Sequence, residues 1–223
     1  MTTVAACRLF ITGATGYLGS RLIPRLLQRG HHVTALVRRE SVHKVPSECS
    51  IVIGNPLESQ TFAGHLQDID TFVQLVGIPK PAPWKGPQFR AVDGPSALAA
   101  IGAARAADIR HFLYVSVAQP APIMKDYLAV RSECEAAIQA TGLTATILRP
   151  WYILGPGHWW PLLLVPVYGL LERIPFTQDA ATRLGLVTIE DMLTAMVWSI
   201  EHPPVRTRVI EVAEIRRLAR GDQ

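Results

Sequence analysis

The residues best suited to chemistry lie near the start of the chain. Gly13-Ala14-Thr15-Gly16-Tyr17-Leu18-Gly19 follows a short apolar run, Arg8 to Thr12. It precedes a stretch whose Leu18, Leu22, Ile23, Leu26 and Leu27 share one helical face. Gly13 allows a tight turn, Gly16 lets the backbone approach a pyrophosphate, and Gly19 lets helix and strand pack closely. The helix N-terminus adds free N–H groups and positive potential. A glycine triplet alone is weak evidence, but between a first strand and a first helix it forms a dinucleotide fingerprint. At the end of the second strand, where an NAD enzyme places an acid on the ribose hydroxyls, the chain has Val37-Arg38-Arg39. Arginine suits a 2′-phosphate through charge-assisted fork bonds, with its plane free to stack on adenine. NADP(H) is therefore expected over NAD(H), the alternative being that both arginines face solvent and Glu40 takes the acidic role.

Positioning such a loop requires a particular framework. Runs of strand length at 8–12, 32–37, 50–53, 71–76, 111–116, 144–148 and 208–212 alternate with helical periods at 17–29, 94–107, 125–141 and 190–201. That alternation predicts βαβ units in a doubly wound parallel α/β sheet of the Rossmann type, with about seven strands and helices on both faces. Thr188-x-x-Asp191 resembles a capping box opening the last of these helices. The proline-rich segment 78–90 is expected to be a loop. The whole chain, 1–223, reads as one domain, with 151–185 as a small lid or substrate region.

Composition narrows the classes. The 223 residues are 49% hydrophobic and 18% charged, which excludes wholesale disorder. The net charge of +4 and pI near 9.2 invite a nucleic-acid reading, but no binding signature accompanies them. Arg206, Arg208, Arg216, Arg217 and Arg220 crowd the C-terminal end, where a solvated tail is expected. Cys7, Cys49 and Cys134 lack metal or disulfide spacing, so no metal site and a reducing compartment are expected. The opening MTTVAACRLFITG has no basic region before its apolar stretch, so the chain is expected to stay in the cytoplasm. The most hydrophobic region, Trp159 to Leu171, is too short and too interrupted by proline and glycine to span a membrane, although peripheral contact through 159–171 is open.

With the loop and the arginine pair in place, the chain resembles the atypical branch of the short-chain dehydrogenase/reductase superfamily, the NmrA-like NAD(P)-binding proteins. The likeness extends through Gly54-Asn55-Pro56-Leu57 at the adenine edge and Val92-Asp93-Gly94 opening the central helix. It continues in Phe112-Leu113-Tyr114-Val115-Ser116, Leu148-Arg149-Pro150, Gly155-Pro156-Gly157 and Leu186-Val187-Thr188-x-x-Asp191. It covers about residues 8–212. The resemblance implies cofactor contacts from Gly13, Thr15, Gly16, Tyr17, Leu18, Gly19, Arg38, Arg39, Asn55, Pro56, Val76 and Gly77. Tyr127, Arg131, Pro150, Tyr152 and Ile153 complete that set. Asn55 stands where the branch usually has an acid.

The superfamily reduces carbonyls with Ser, Tyr and a Lys four residues beyond the Tyr, and the resemblance implies Ser116, Tyr127 and Arg131 as the counterparts. Tyr127 and Arg131 share a helical face, so the guanidinium is expected near the phenol, lowering its pKa while bonding ribose hydroxyls. Arginine holds its proton, so a relay through this position is lost. His158, ahead of Trp159 and Trp160, is a candidate replacement, whereas Arg149 reads as structural. Leu162, Leu163, Leu164 and Val165 suggest an apolar pocket for a small hydrophobic carbonyl or quinone. The expected function is an NADPH-dependent reductase, acting as monomer or homodimer. The alternative is a non-catalytic dinucleotide-binding sensor or assembly protein.

Overall fold

A computed structural model describes residues 5–121, 123–157 and 184–221. Its strands are β1 (Arg8–Thr12), β2 (His32–Val37), β3 (Ser50–Ile53), β4 (Thr71–Gln74), β5 (His111–Val115), β6 (Ala145–Arg149), β7 (Tyr152–Leu154), β8 (Leu186–Thr188) and β9 (Arg208–Glu211). The longer helices are α1 (Gly19–Gln28), α2 (Gly94–Ala106), α3 (Lys125–Thr141), α4 (Ile189–Glu201) and α5 (Val212–Arg220). Seven strands form one parallel sheet in the order β3-β2-β1-β4-β5-β6-β9. The order reverses between β1 and β4, and in such sheets ligands bind outside the carboxyl ends of the strands at that point.

Both faces are covered, which explains why the strands read as continuous apolar runs rather than alternating ones. On one face Leu9 and Ile11 of β1 pack with Leu22, Ile23 and Leu26 of α1, Met192 and Met196 of α4 and Ile215 of α5. On the other, Phe10 meets Ala100 and Ala104 of α2 and Ile138 of α3. Phe10, Phe72 and Phe112 occupy matched positions on β1, β4 and β5, with ring centroids 5.2 and 5.4 Å apart. Such cross-strand aromatic pairs fix register as well as burying area.

The seven expected strands are present, three with the expected ends and four with an end shifted by a residue or two, and α1 begins at Gly19 rather than 17. Two expectations need correction. The segment 78–90 is not all loop: from Pro83 the chain makes a 3-10 turn, one α turn at Gly86–Gln88 and a widened π turn at Phe89–Asp93 that runs into α2. Pro83 opens this run, where the missing N–H would have no helical partner, and Pro87 and Pro95 each stand at the first or second position of the turn that follows. Nor is the basic C-terminal end a solvated tail. Val212, Ile215 and Leu218 bury one face of α5, Arg208 and Arg217 pair with Glu214, and Arg216 donates to the Leu186 carbonyl at 2.8 and 3.0 Å. Beyond the seven expected strands, β7 and β8 pair with each other in a separate parallel two-stranded sheet. Thr188 and Asp191 close the capping box of α4, at 3.0 and 3.1 Å. His158, Trp159, Trp160 and the apolar run from Leu162 to Val165 lie outside the described residues, as does most of the 151–185 region.

Candidate cofactor and active site

The glycine loop is built by three different constraints. Gly13 has φ +69°, and a Cβ there would lie 2.7 Å from the backbone carbonyl of Leu75, so the loop rests directly on the end of β4. A Cβ on Gly19 would run into the backbone of Gly13 and Ala14, as close packing of loop and helix requires. Gly16 differs: a Cβ there would meet the Gly13 carbonyl oxygen at 3.1 Å and no other atom of the described residues, and its backbone faces a cleft of about 350 Å³. The Gly16 N–H bonds Gly13 O, and the Ser20 N–H bonds Gly16 O, both at 3.0 Å, so the loop shape is set before any ligand arrives.

The cleft lies at the carboxyl ends of β1, β4, β5 and β6. It gathers Gly16, Tyr17, Leu18, Val76, Gly77, Ser116, Tyr127, Arg131, Pro150, Tyr152 and Ile153 of the expected site, with Leu75, Lys80 and Trp151 beside them. Tyr17 carries Arg21 over its ring, 4.3 Å from the centroid, and its hydroxyl lies against Gly155, where an added Cβ would meet both that hydroxyl and the Ile189 side chain. Gly13, Thr15 and Gly19 form the loop behind this wall, and Arg38, Arg39, Asn55 and Pro56 lie outside it. Arg38 is 72% exposed in its side chain and pairs with Glu40 at 3.3 Å. Asn55 is engaged locally: its Nδ2 donates to Glu58 at 2.7 Å and its Oδ1 accepts from the Leu57 N–H at 3.1 Å.

The floor of the cleft is occupied by charged side chains bonded to one another. Tyr127, Arg131 and Glu135 follow at four-residue intervals on α3 and so share its inner face. Arg131 is 6% exposed, and its Nη2 donates to Asp93 Oδ1 at 2.7 Å. Its Nη1 donates to the Tyr114 hydroxyl at 3.1 Å and the Val115 carbonyl at 3.0 Å. Its ζ carbon lies 5.0 Å from the Tyr127 ring centroid, and its Nε is buried without a hydrogen-bond partner among the described residues. Asp93 is fully buried, and its second oxygen accepts from the Ile78 N–H at 3.0 Å, tying the wall after β4 to the floor. A Cβ on Gly77 would meet Arg131 Nη2 at 2.8 Å, so this glycine makes room for the pair. Burial pushes the Asp93 carboxyl up, although Arg131 and the Ile78 N–H pull it down. Burial likewise pushes the Tyr114 phenol up.

Ser116, 2% exposed, donates its hydroxyl proton to Glu135. Glu135 also accepts from Gln119 at 3.1 Å and is clasped by Arg149, whose Nη1 reaches Glu211 at 2.9 Å. Arg149 is thus the structural residue that the sequence suggested. The structure brings Ser116, Tyr127 and Arg131 to one cleft, but two of the three are held by partners, Asp93 and Glu135, that sequence reasoning had not placed in the site. For Glu135 a signal existed in its four-residue spacing from Arg131. Asp93 stood only in a helix-opening motif, and nothing local links it to a residue 38 positions away.

Comparison with known proteins agrees with this geometry. Residues 13–156 match the family described as NAD(P)H-binding. The chain belongs to that family. It is 31% identical over 219 residues to a ceramide reductase of Caulobacter vibrioides, covering 97% of this chain and 68% of that one. It is 28% identical to an uncharacterized sugar epimerase, YhfK, of Bacillus subtilis, over 93% of this chain and 94% of that one. Among solved structures the enzyme WbmH of Bordetella bronchiseptica, in complex with NAD+, superposes with a TM-score of 0.70 at 17% identity, covering 93% and 76% of the two chains. The protein is thus an NAD(P)-binding protein of oxidoreductase type, in agreement with the resemblance to the atypical short-chain dehydrogenase/reductase group, and the solved structures share its fold. Among the described residues no helix is long and apolar enough to cross a membrane.

Proposed function

We propose that the protein is an NADPH-dependent reductase of a small hydrophobic carbonyl or quinone. The observation that carries this reading is the cleft at the sheet's switch point, where the pre-shaped Gly16 backbone, Tyr127 and an apolar wall of Leu75, Val76, Ile78, Val117 and Ile153 converge. The dinucleotide fits: Gly16 puts no side chain between the loop and a pyrophosphate, and Val76, Gly77, Pro150, Tyr152 and Ile153 border the space beyond it. When bound, a reduced nicotinamide supplies the hydride. Tyr127 then gives its phenolic proton to the carbonyl oxygen, so that hydride and proton together form the alcohol. Arg131, over the Tyr127 ring, fixes that side chain from below. The relative named ceramide reductase supports reductive chemistry and an apolar substrate. Arg38, exposed at the end of β2, is the group proposed to choose NADPH over NADH.

Tyr127→Phe tests the assignment. Turnover should fall by about 10²-fold or more, the usual worth of a positioned general acid, with NADPH affinity held within a few-fold. A second reading, a dinucleotide-binding sensor or assembly protein, draws on a specific observation: Ser116 donates inward to Glu135 and Arg131 is tied to Asp93, leaving Tyr127 as the unaided donor. Tight NADPH binding with no reduction across aldehydes, ketones and quinones would replace the first reading with the second.

A further inference from the structure

The Asp93–Arg131 pair lies beneath the same cleft and bears on which form of the nucleotide the protein holds. Oxidised nicotinamide carries a positive charge and reduced nicotinamide does not, so any uncompensated charge below the ring favours one form over the other. A lone cation in the place of Arg131 would disfavour the oxidised form. Here the guanidinium, which lines the cleft, is matched by a fully buried carboxylate at 2.7 Å, and Gly77 leaves room for that contact at the cleft wall. The other nearby carboxylates answer other cations: Glu135 faces Arg149, and Asp126 faces Arg90. We propose that Asp93 governs the preference between oxidised and reduced dinucleotide, by cancelling the charge of Arg131 where the nicotinamide sits. The inference rests on the reading that the nicotinamide end of the cofactor lies in this cleft. Asp93 thereby acts through Arg131, as a positioning residue that also anchors the wall at Ile78.

The test is the ratio of two dissociation constants, NADP+ over NADPH, measured by calorimetry on the full chain and its variants. Asp93→Asn leaves the arginine uncompensated and should raise the ratio by roughly fivefold or more, the scale of a unit charge in a partly wet site. Arg131→Gln should lower it, by less, because a lone buried carboxylate takes up a proton. The double variant Asp93→Asn/Arg131→Gln removes both charges and should return the ratio to within about twofold of the unaltered protein. A purely structural pair would weaken both nucleotide forms in parallel. A ratio unmoved by the single variants therefore overturns the proposal, and if Asp93→Asn does not fold, the sign of the Arg131→Gln shift decides alone. Failure of either nucleotide to bind the unaltered protein would instead sink the cofactor reading beneath it.

Discussion

The two ends of the cleft solve opposite problems. At the glycine loop the protein withholds side chains, so that the backbone at Gly16 borders the cleft directly. On the floor it supplies side chains in quantity and then bonds them to each other: Asp93 to Arg131, Arg131 to Tyr114, Ser116 to Glu135, Glu135 to Arg149. The first region is complementary to something outside the chain, whereas the second is largely complementary to itself. On the proposed reductase reading, chemistry therefore falls to Tyr127, which among the described residues is held by ring contacts, leaning on Phe89 with centroids 4.9 Å apart and on Arg131.

The contrast breaks most completely at Gly16. A valine there would put a branched side chain into the space the loop keeps clear, and dinucleotide binding should fall by at least about 100-fold. The fold should survive, since a Cβ at this position meets a single carbonyl oxygen among the described residues. Calorimetric affinity for NADPH and thermal unfolding, measured on the same variant, separate the two effects. Unchanged affinity would mean that the loop is merely a turn.

How far the sequence disclosed each region follows from the range of the interactions. The glycine loop is local: turn, close approach and helix start lie within seven consecutive residues, and their types state their purpose. The sheet was legible for the same reason, each buried strand being a short apolar run. The floor is not local. Asp93 reaches Arg131 across 38 positions, and Ser116 reaches Glu135 across 19, and in each case the sequence names the residue without naming what it bonds. The helix of the C-terminal end was hidden differently, because Val212, Ile215 and Leu218 are spaced for a helix but sit among five arginines that read as solvent-loving.

A self-satisfied floor should also resist conservative change. Arg131→Lys keeps the charge, yet one ammonium on a shorter stem cannot serve Asp93, the Tyr114 hydroxyl and the Val115 carbonyl in the geometry that two guanidinium nitrogens reach. At least one buried partner is left unsatisfied, so the variant should lose about 1–3 kcal/mol of stability in urea unfolding. Stability equal to that of the unaltered protein would show that the floor tolerates a lysine, and would reopen the relay that arginine denies.

The smallest effect belongs at the far edge, where neither rule of the cleft applies. Arg38 is exposed and paired with Glu40 by a surface contact at 3.3 Å, so it is neither withheld nor satisfied within a network. Surface pairs of this kind contribute little, and a 2′-phosphate, carrying more charge and a matching fork of oxygens, would outcompete the single glutamate. Arg38→Ala should therefore leave stability within about 0.5 kcal/mol. It should weaken NADPH binding by about 1.5 kcal/mol, the lower end for a charged hydrogen bond because solvent reaches the site. NADH, which lacks the phosphate, should be bound as before. Raising the salt concentration should erode the NADPH advantage of the unaltered protein but not of the variant, since screening acts on the charge that the variant no longer has. Parallel weakening of both nucleotides would place Arg38 against the adenine or the ribose instead, and the choice of cofactor would pass to Arg39.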